Sequence, residues 1–179
     1  MPVQCEQYAR SVRSAPAHAP RLAVFRYGVS DPTTRLDRTT FARASLTPDG
    51  EATLRVDFGG AVPTYEAWGP GAGWMLQQAP AMLGADDPGH LFDDGHPVVL
   101  AAQRNHGHLR IGASGLLYHE LLPTILGQRI TAGEALAQWA RLVRELGSPA
   151  PGPIDGLLLP PRPAELVGRP AWWYHRLGI

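Results

Sequence analysis

Residues 115–147 read GLLYHELLPTILGQRITAGEALAQWARLVRELG, and this stretch decides the architecture. Leu116, Leu117, Leu121, Leu122, Ile125 and Leu126 recur at helical spacing, and Gly127 stands where a helix stops. Thr131-x-x-Glu134 is a capping box, in which each side chain satisfies an orphan amide of the other residue. A second apolar face follows through Ala132, Ala135, Leu136, Trp139, Leu142, Val143 and Leu146, and Gly147 closes it. The prediction is two helices on a very short loop that presents Gln128 and Arg129 to a partner.

The rest of the composition narrows the partner. At 179 residues and 44% hydrophobic the chain has the makings of an ordinary globular core. All 16 basic residues are Arg, so no side-chain amine is present for Schiff-base chemistry. Cys5 is the only cysteine, which excludes an internal disulfide and a thiolate metal cluster. There is no apolar leader and no run long enough to span a bilayer, so the expected location is cytoplasmic with no membrane partner. Net charge is zero, but its distribution is uneven. In residues 1–100, 8 Arg face 11 Asp and Glu; in residues 101–179, 8 Arg face 5. Positive charge is biased toward the half that carries the hairpin, as an anionic partner would require, although a solvated face gives the same count.

Taken in order, residues 1–20 read as a loose arm rich in Ala, Pro, Ser and Arg. Strand patterns follow at Leu22–Tyr27, Thr40–Leu46, Ala52–Phe58 and Thr64–Trp68, with Leu54, Val56 and Phe58 on one face. Thr47-Pro48-Asp49-Gly50 is a hairpin turn between two of them. Trp74, Leu76, Ala79, Met82 and Leu83 predict a helix, disturbed by Pro80 and ending at Gly84, that covers one face of the sheet. Turn residues at 86–89 and 93–95 mark a boundary, and Pro97 begins a helix to about Asn105. Beyond the hairpin, 148–163 is a Pro-rich crossover with Leu157, Leu158 and Leu159, followed by a short helix from Pro163 to Gly168. The expected organisation is an arm at 1–20, a sheet-plus-helix domain at 21–95 and a helical domain at 96–179.

Several chemical patterns fall short. His119-Glu120-Leu121-Leu122-Pro123 puts Pro123 where a zinc protease needs its second His. His106, His108 and His119 lack an acid or cysteine at ligand spacing, so no metal is expected. Gly69-Pro70-Gly71-Ala72-Gly73 lacks the lysine of a phosphate loop and reads as a strand-to-helix turn. Gly112-Ala113-Ser114-Gly115 is one residue short of a nucleophile elbow. Trp172, Trp173 and Tyr174 suit either base stacking or, more often, a core between helices.

Leu121 to Thr131 with its following helix, Leu159-Pro160-Pro161-Arg162-Pro163, and Trp172 to Ile179 together resemble bacterial DNA-3-methyladenine glycosylases of the type II class. These belong to the helix–hairpin–helix superfamily. Asp31-Pro32-Thr33-Thr34-Arg35, the hairpin after it, Gly71 to Trp74 and Ala85 to Asp87 resemble that family's N-terminal sheet domain. The resemblance implies double-stranded DNA with a damaged base as partner, base flipping, and hydrolysis of the N-glycosidic bond of alkylated purines without a cofactor. It places Gln128, Arg129, Ile130 and Thr131 at the DNA, with Arg129 at the wedge that fills the gap left by the flipped nucleotide. The family's wedge is often apolar; an Arg there would also read the negative potential of the minor groove.

The family's Leu-Pro-Gly-x-Gly motif and the catalytic Asp beyond it do not occur in these residues. Asp155, the only Asp after residue 94, lies in the crossover and is not the equivalent. The expectation is an α+β protein: an N-terminal antiparallel sheet with a covering helix, then an incomplete all-α glycosylase domain, inactive alone unless a separate chain supplies the missing C-terminal half. No catalytic residue is assigned. The alternative is a non-enzymatic DNA-binding or interaction protein derived from such an enzyme.

Overall fold

The computed structural model describes residues 18–89, 95–107 and 109–179. Cys5, most of the arm expected over 1–20, Asp93, Asp94 and His108 lie outside the described residues.

The fold is α+β. A short helix α1 (His18–Ala23) leads into a four-stranded sheet of β1 (Thr34–Leu36), β2 (Thr40–Thr47), β3 (Gly50–Asp57) and β4 (Thr64–Trp68). The strands lie in sequence order, each antiparallel to the next. Turn chemistry sets the register: Thr47 pairs with Gly50 across Pro48-Asp49, and Gly50 takes φ +120°, which its missing Cβ permits.

The strand expected at Leu22–Tyr27 is not there. Leu22 and Phe25 are buried while Val24 between them is 65% exposed, which is the spacing of a helix and turn rather than the alternation of a strand. Three-residue β1 is too short for its periodicity to show.

Leu54 and Val56 bury on one face of β3, as their alternation requires, and Phe58 is buried just past the strand's end. Helix α2 (Ala72–Met82) covers that face with Ala72, Met75, Ala79 and Met82, and together with Leu22, Phe25 and Phe41 they make the main core. The helix runs through Pro80 and stops two residues later, and Gly84 turns left-handed at φ +81°. Gly71 permits a close approach here: a Cβ on it would sit 2.2 Å from the Thr47 hydroxyl. The glycine-rich turn is thus packed against the β2–β3 turn, with no open cradle for a phosphate.

Helix α3 (Pro97–His106) follows the expected start and overruns the expected end by one residue. The helical hairpin comes next, α4 (Leu117–Leu126) and α5 (Ala132–Leu146), then α6 (Pro163–Val167), α7 (Ala171–Tyr174) and a single 3₁₀ turn over His175–Leu177. The crossover returns to the outer sheet face, where Leu157 and Leu159 pack on Ala42 and Ala44. A third cluster joins the hairpin to the last helices through Leu142, Trp173 and Leu177, with Leu122, Leu126 and Leu146 beside them. No described helix is long and apolar enough to cross a membrane.

Candidate nucleic-acid interface

The hairpin loop is built from its two ends. Gly127 closes α4 in right-handed geometry, donating its N–H to the Pro123 carbonyl at 3.0 Å. Arg129 then takes φ +64°, the only non-glycine with positive φ among the described residues. Such a conformation costs an ordinary L-residue about 1–2 kcal/mol, so the surrounding turn imposes it. Thr131 restarts the chain as the N-cap of α5. Its hydroxyl accepts from Glu134 N at 3.3 Å, and Glu134 Oε2 accepts from Thr131 N at 3.0 Å and from its hydroxyl at 2.8 Å. Those bonds from Thr131 hold the Glu134 carboxyl below its ordinary pKa. Gln128, Arg129, Ile130 and Thr131 are all exposed.

The hairpin is anchored to the sheet by a buried polar network that sequence patterns do not disclose. His119 is 1% exposed, with Nε2 3.1 Å from the Thr33 hydroxyl and Nδ1 3.1 Å from the Ser45 hydroxyl. Thr33 donates its one hydroxyl proton to Asp31 Oδ1 at 2.8 Å. The hydroxyl must therefore accept from His119, which assigns the proton to Nε2 and makes Ser45 the donor to Nδ1. Asp31 Oδ1 also accepts from Thr33 N at 2.9 Å and from the Trp139 indole at 3.0 Å, while Oδ2 takes Tyr27 N at 3.0 Å. One carboxylate thus ties the segment before β1 to the middle of α5. Burial, and secondarily the Arg43 charge, push the His119 pKa well below its ordinary value and keep the ring neutral.

Arg43, fully buried on β2, lies 2.9 Å from Glu120 Oε1. The pair is a close ion pair across the α4–β2 joint. Burial lowers the Arg43 pKa and Glu120 opposes that shift, while the guanidinium also sits 5.4 Å above the Phe25 ring. Tyr27 completes the clamp by donating to Glu120 Oε2 at 2.6 Å; burial first, then that bond, raises its pKa.

The network corrects the expected apolar face of α4. Leu116 is buried and Leu122 and Leu126 are partly so, but Leu117, Leu121 and Ile125 are 75%, 46% and 51% exposed. The face turned inward carries His119 and Pro123 instead. With both ring nitrogens bonded to hydroxyls, His119 is a structural histidine. The only cue was Glu120-Leu121 following it at a helix start, which is too common to read.

The aromatic run divides. Trp173 is buried, with the Arg169 and Arg176 guanidinium carbons 4.2 and 4.1 Å from its ring centroid, and Tyr174 packs edge-on to it. Trp172 is 70% exposed. The core reading fits Trp173 and Tyr174, and Trp172 alone has a face free to stack.

No family model matches this sequence, and no curated protein does. Among solved structures, the 3-methyladenine DNA glycosylase from Archaeoglobus fulgidus is similar, with a TM-score of 0.67 at 17% identity. The match covers 93% of this chain and 61% of that one, so the chain spans less than two thirds of that protein. The likeness is one of fold.

Proposed function

We propose that this chain is the lesion-engaging part of a DNA glycosylase of the 3-methyladenine type, acting in base-excision repair of alkylated DNA. The observation that carries the reading is the exposed, left-handed Arg129 at the tip of a hairpin braced by a capping box and by the His119 network. In this reading, residues 21–95 form the sheet platform and 96–179 the DNA-facing helical unit. The loop enters the minor groove of duplex DNA, where Arg129 fills the space of the flipped nucleotide and meets the groove's negative potential. Gln128, Ile130 and Thr131 line the entry. A rigid wedge suits this role because its ordering cost is met during folding and not during binding.

The 179 residues contain neither Leu-Pro-Gly-x-Gly nor an Asp in the corresponding place, so the chain by itself binds without cutting. That absence also favours the second reading, a non-enzymatic DNA-binding protein on the same fold. Two measurements on the purified chain test these readings. Fluorescence anisotropy with a duplex carrying an abasic or alkylated site is expected to show binding that Arg129→Ala weakens at least several-fold. Excision of 3-methyladenine from duplex DNA is expected to be undetectable; release of the base by the chain alone would overturn the inactivity. Excision on adding a separate chain bearing the missing motif would favour the enzyme over the binding protein.

A further inference from the structure

We infer that Arg26, Arg35 and Arg144 form a phosphate-binding groove, remote from the hairpin loop, where the segment before β1 meets the crossover and the end of α5. The three line one open groove of about 290 Å³, together with Ser30, Pro32 and Leu157.

Each arginine is positioned without being neutralised. Arg26 donates to the Val29 carbonyl at 2.7 Å, Arg35 to the Asp155 carbonyl at 2.8 Å and Arg144 to the Ser30 carbonyl at 3.1 Å. None of the three forms an ion pair with a carboxylate among the described residues, whereas Arg43, Arg55, Arg162, Arg169 and Arg176 all do. The one acid in the lining is Asp31, and its two oxygens already accept four hydrogen bonds from Thr33, Trp139 and Tyr27. Three arginines therefore line a space whose one lining carboxylate is already engaged by the fold.

Carbonyl anchors use one donor of each arginine and leave the others for a ligand. A guanidinium fork matches the spacing of phosphate oxygens and holds its charge at any working pH. The ligand class is a phosphate group, either a phosphodiester of a DNA backbone or a free phosphate ester. Arg144 is 13 residues along α5 from Thr131, roughly 20 Å at the helical rise. A duplex seated on the loop is long enough to reach it, and that source rests on the function proposed above.

The test uses Arg35→Gln/Arg144→Gln, both exposed positions, with Arg104→Gln on α3 as a control for loss of an exposed arginine outside the groove. Thermal unfolding is followed in inorganic phosphate against chloride at equal ionic strength. The wild type and Arg104→Gln are expected to gain stability specifically from phosphate, and the double variant to lose at least half of that gain. Duplex affinity is then measured against salt concentration, where the double variant is expected to flatten the log–log slope by about 1–2. A changed slope with either thermal result assigns the groove to DNA phosphates. Lost phosphate stabilisation with an unchanged slope assigns it to a free phosphate ester. An unchanged slope, whether the phosphate gain is equal in all variants or absent from all of them, overturns the groove. If the wild type binds no DNA, the proposed function fails, and the thermal comparison alone decides this inference.

Discussion

At the scale of single residues, Arg129 and His119 are opposite cases. Arg129 is exposed yet strained at φ +64°. Replacing it with Gly removes a left-handed penalty of about 1–2 kcal/mol but returns roughly 0.5–1 kcal/mol in unfolded-chain entropy. Arg129→Gly is therefore expected to be neutral to slightly stabilising, by up to about 1.5 kcal/mol in urea unfolding, while duplex binding falls as it does for Arg129→Ala. Equal affinity of both variants with the wild type would remove the loop from the interface. His119 is buried and neutral. Its folded pKa lies below its unfolded value of about 6.5, so its contribution is full above that pH and is lost as pH falls through the folded value. One proton gives a slope of at most about 1.4 kcal/mol per pH unit. Unfolding free energy should drop by about 1 kcal/mol between pH 6.5 and 5.5, and His119→Leu should flatten that drop. At neutral pH the same variant should cost about 2–4 kcal/mol, because the Thr33 and Ser45 hydroxyls lose their partner. A variant with an unaltered acid limb would show that another group governs it.

At the scale of elements, the loop depends on how α5 begins. Thr131→Ala removes the hydroxyl that accepts Glu134 N, an N-cap loss of about 1 kcal/mol. Faster hydrogen exchange is expected at the amides of the first turn of α5, with the interior of α5 unchanged. Uniformly faster exchange along the helix would mean that the cap governs the whole element. The clamp between α4 and β2 is the other joint. Glu120→Gln leaves Arg43 buried without a carboxylate, which is expected to cost about 3 kcal/mol, the low end for a buried pair because Glu120 is partly exposed. Arg43→Met/Glu120→Gln should recover most of that loss, since an apolar side chain suits the site as well as an ion pair does. Failure of the double variant to recover would assign the loss to the Tyr27 bond instead.

At the scale of the molecule, Leu117, Leu121 and Ile125 leave an apolar stripe on the outer side of α4. Apolar patches of this kind favour association. The purified chain is expected to self-associate with rising concentration. Leu117→Gln/Leu121→Gln should reduce this in light scattering without lowering the melting temperature, because neither side chain packs in a core. A chain that stays monomeric at high concentration would show that the stripe is tolerated in water.

The helical hairpin is legible in the sequence because its determinants are neighbours along the chain. Thr131 and Glu134 are one helical turn apart, Gly127 ends the first helix, and the Pro48-Asp49-Gly50 turn sets strand register by local backbone geometry. Alternation over residues 52–58 likewise names Leu54, Val56 and Phe58 as core. The strand pattern at Leu22–Tyr27 misleads for a physical reason, since a short apolar run supports either period until something packs on it. What tertiary structure alone decided involves residues far apart in the chain. Asp31 meets Trp139, Thr33 and Ser45 meet His119, and Arg26, Arg35 and Arg144 meet at one groove. Periodicity can mark which residues of α4 are apolar, but the inward face belongs to His119 and Pro123 because the sheet presents hydroxyls and a buried arginine to it. Burial of a polar group is settled by its partner, and those partners come together only when the chain folds back on itself.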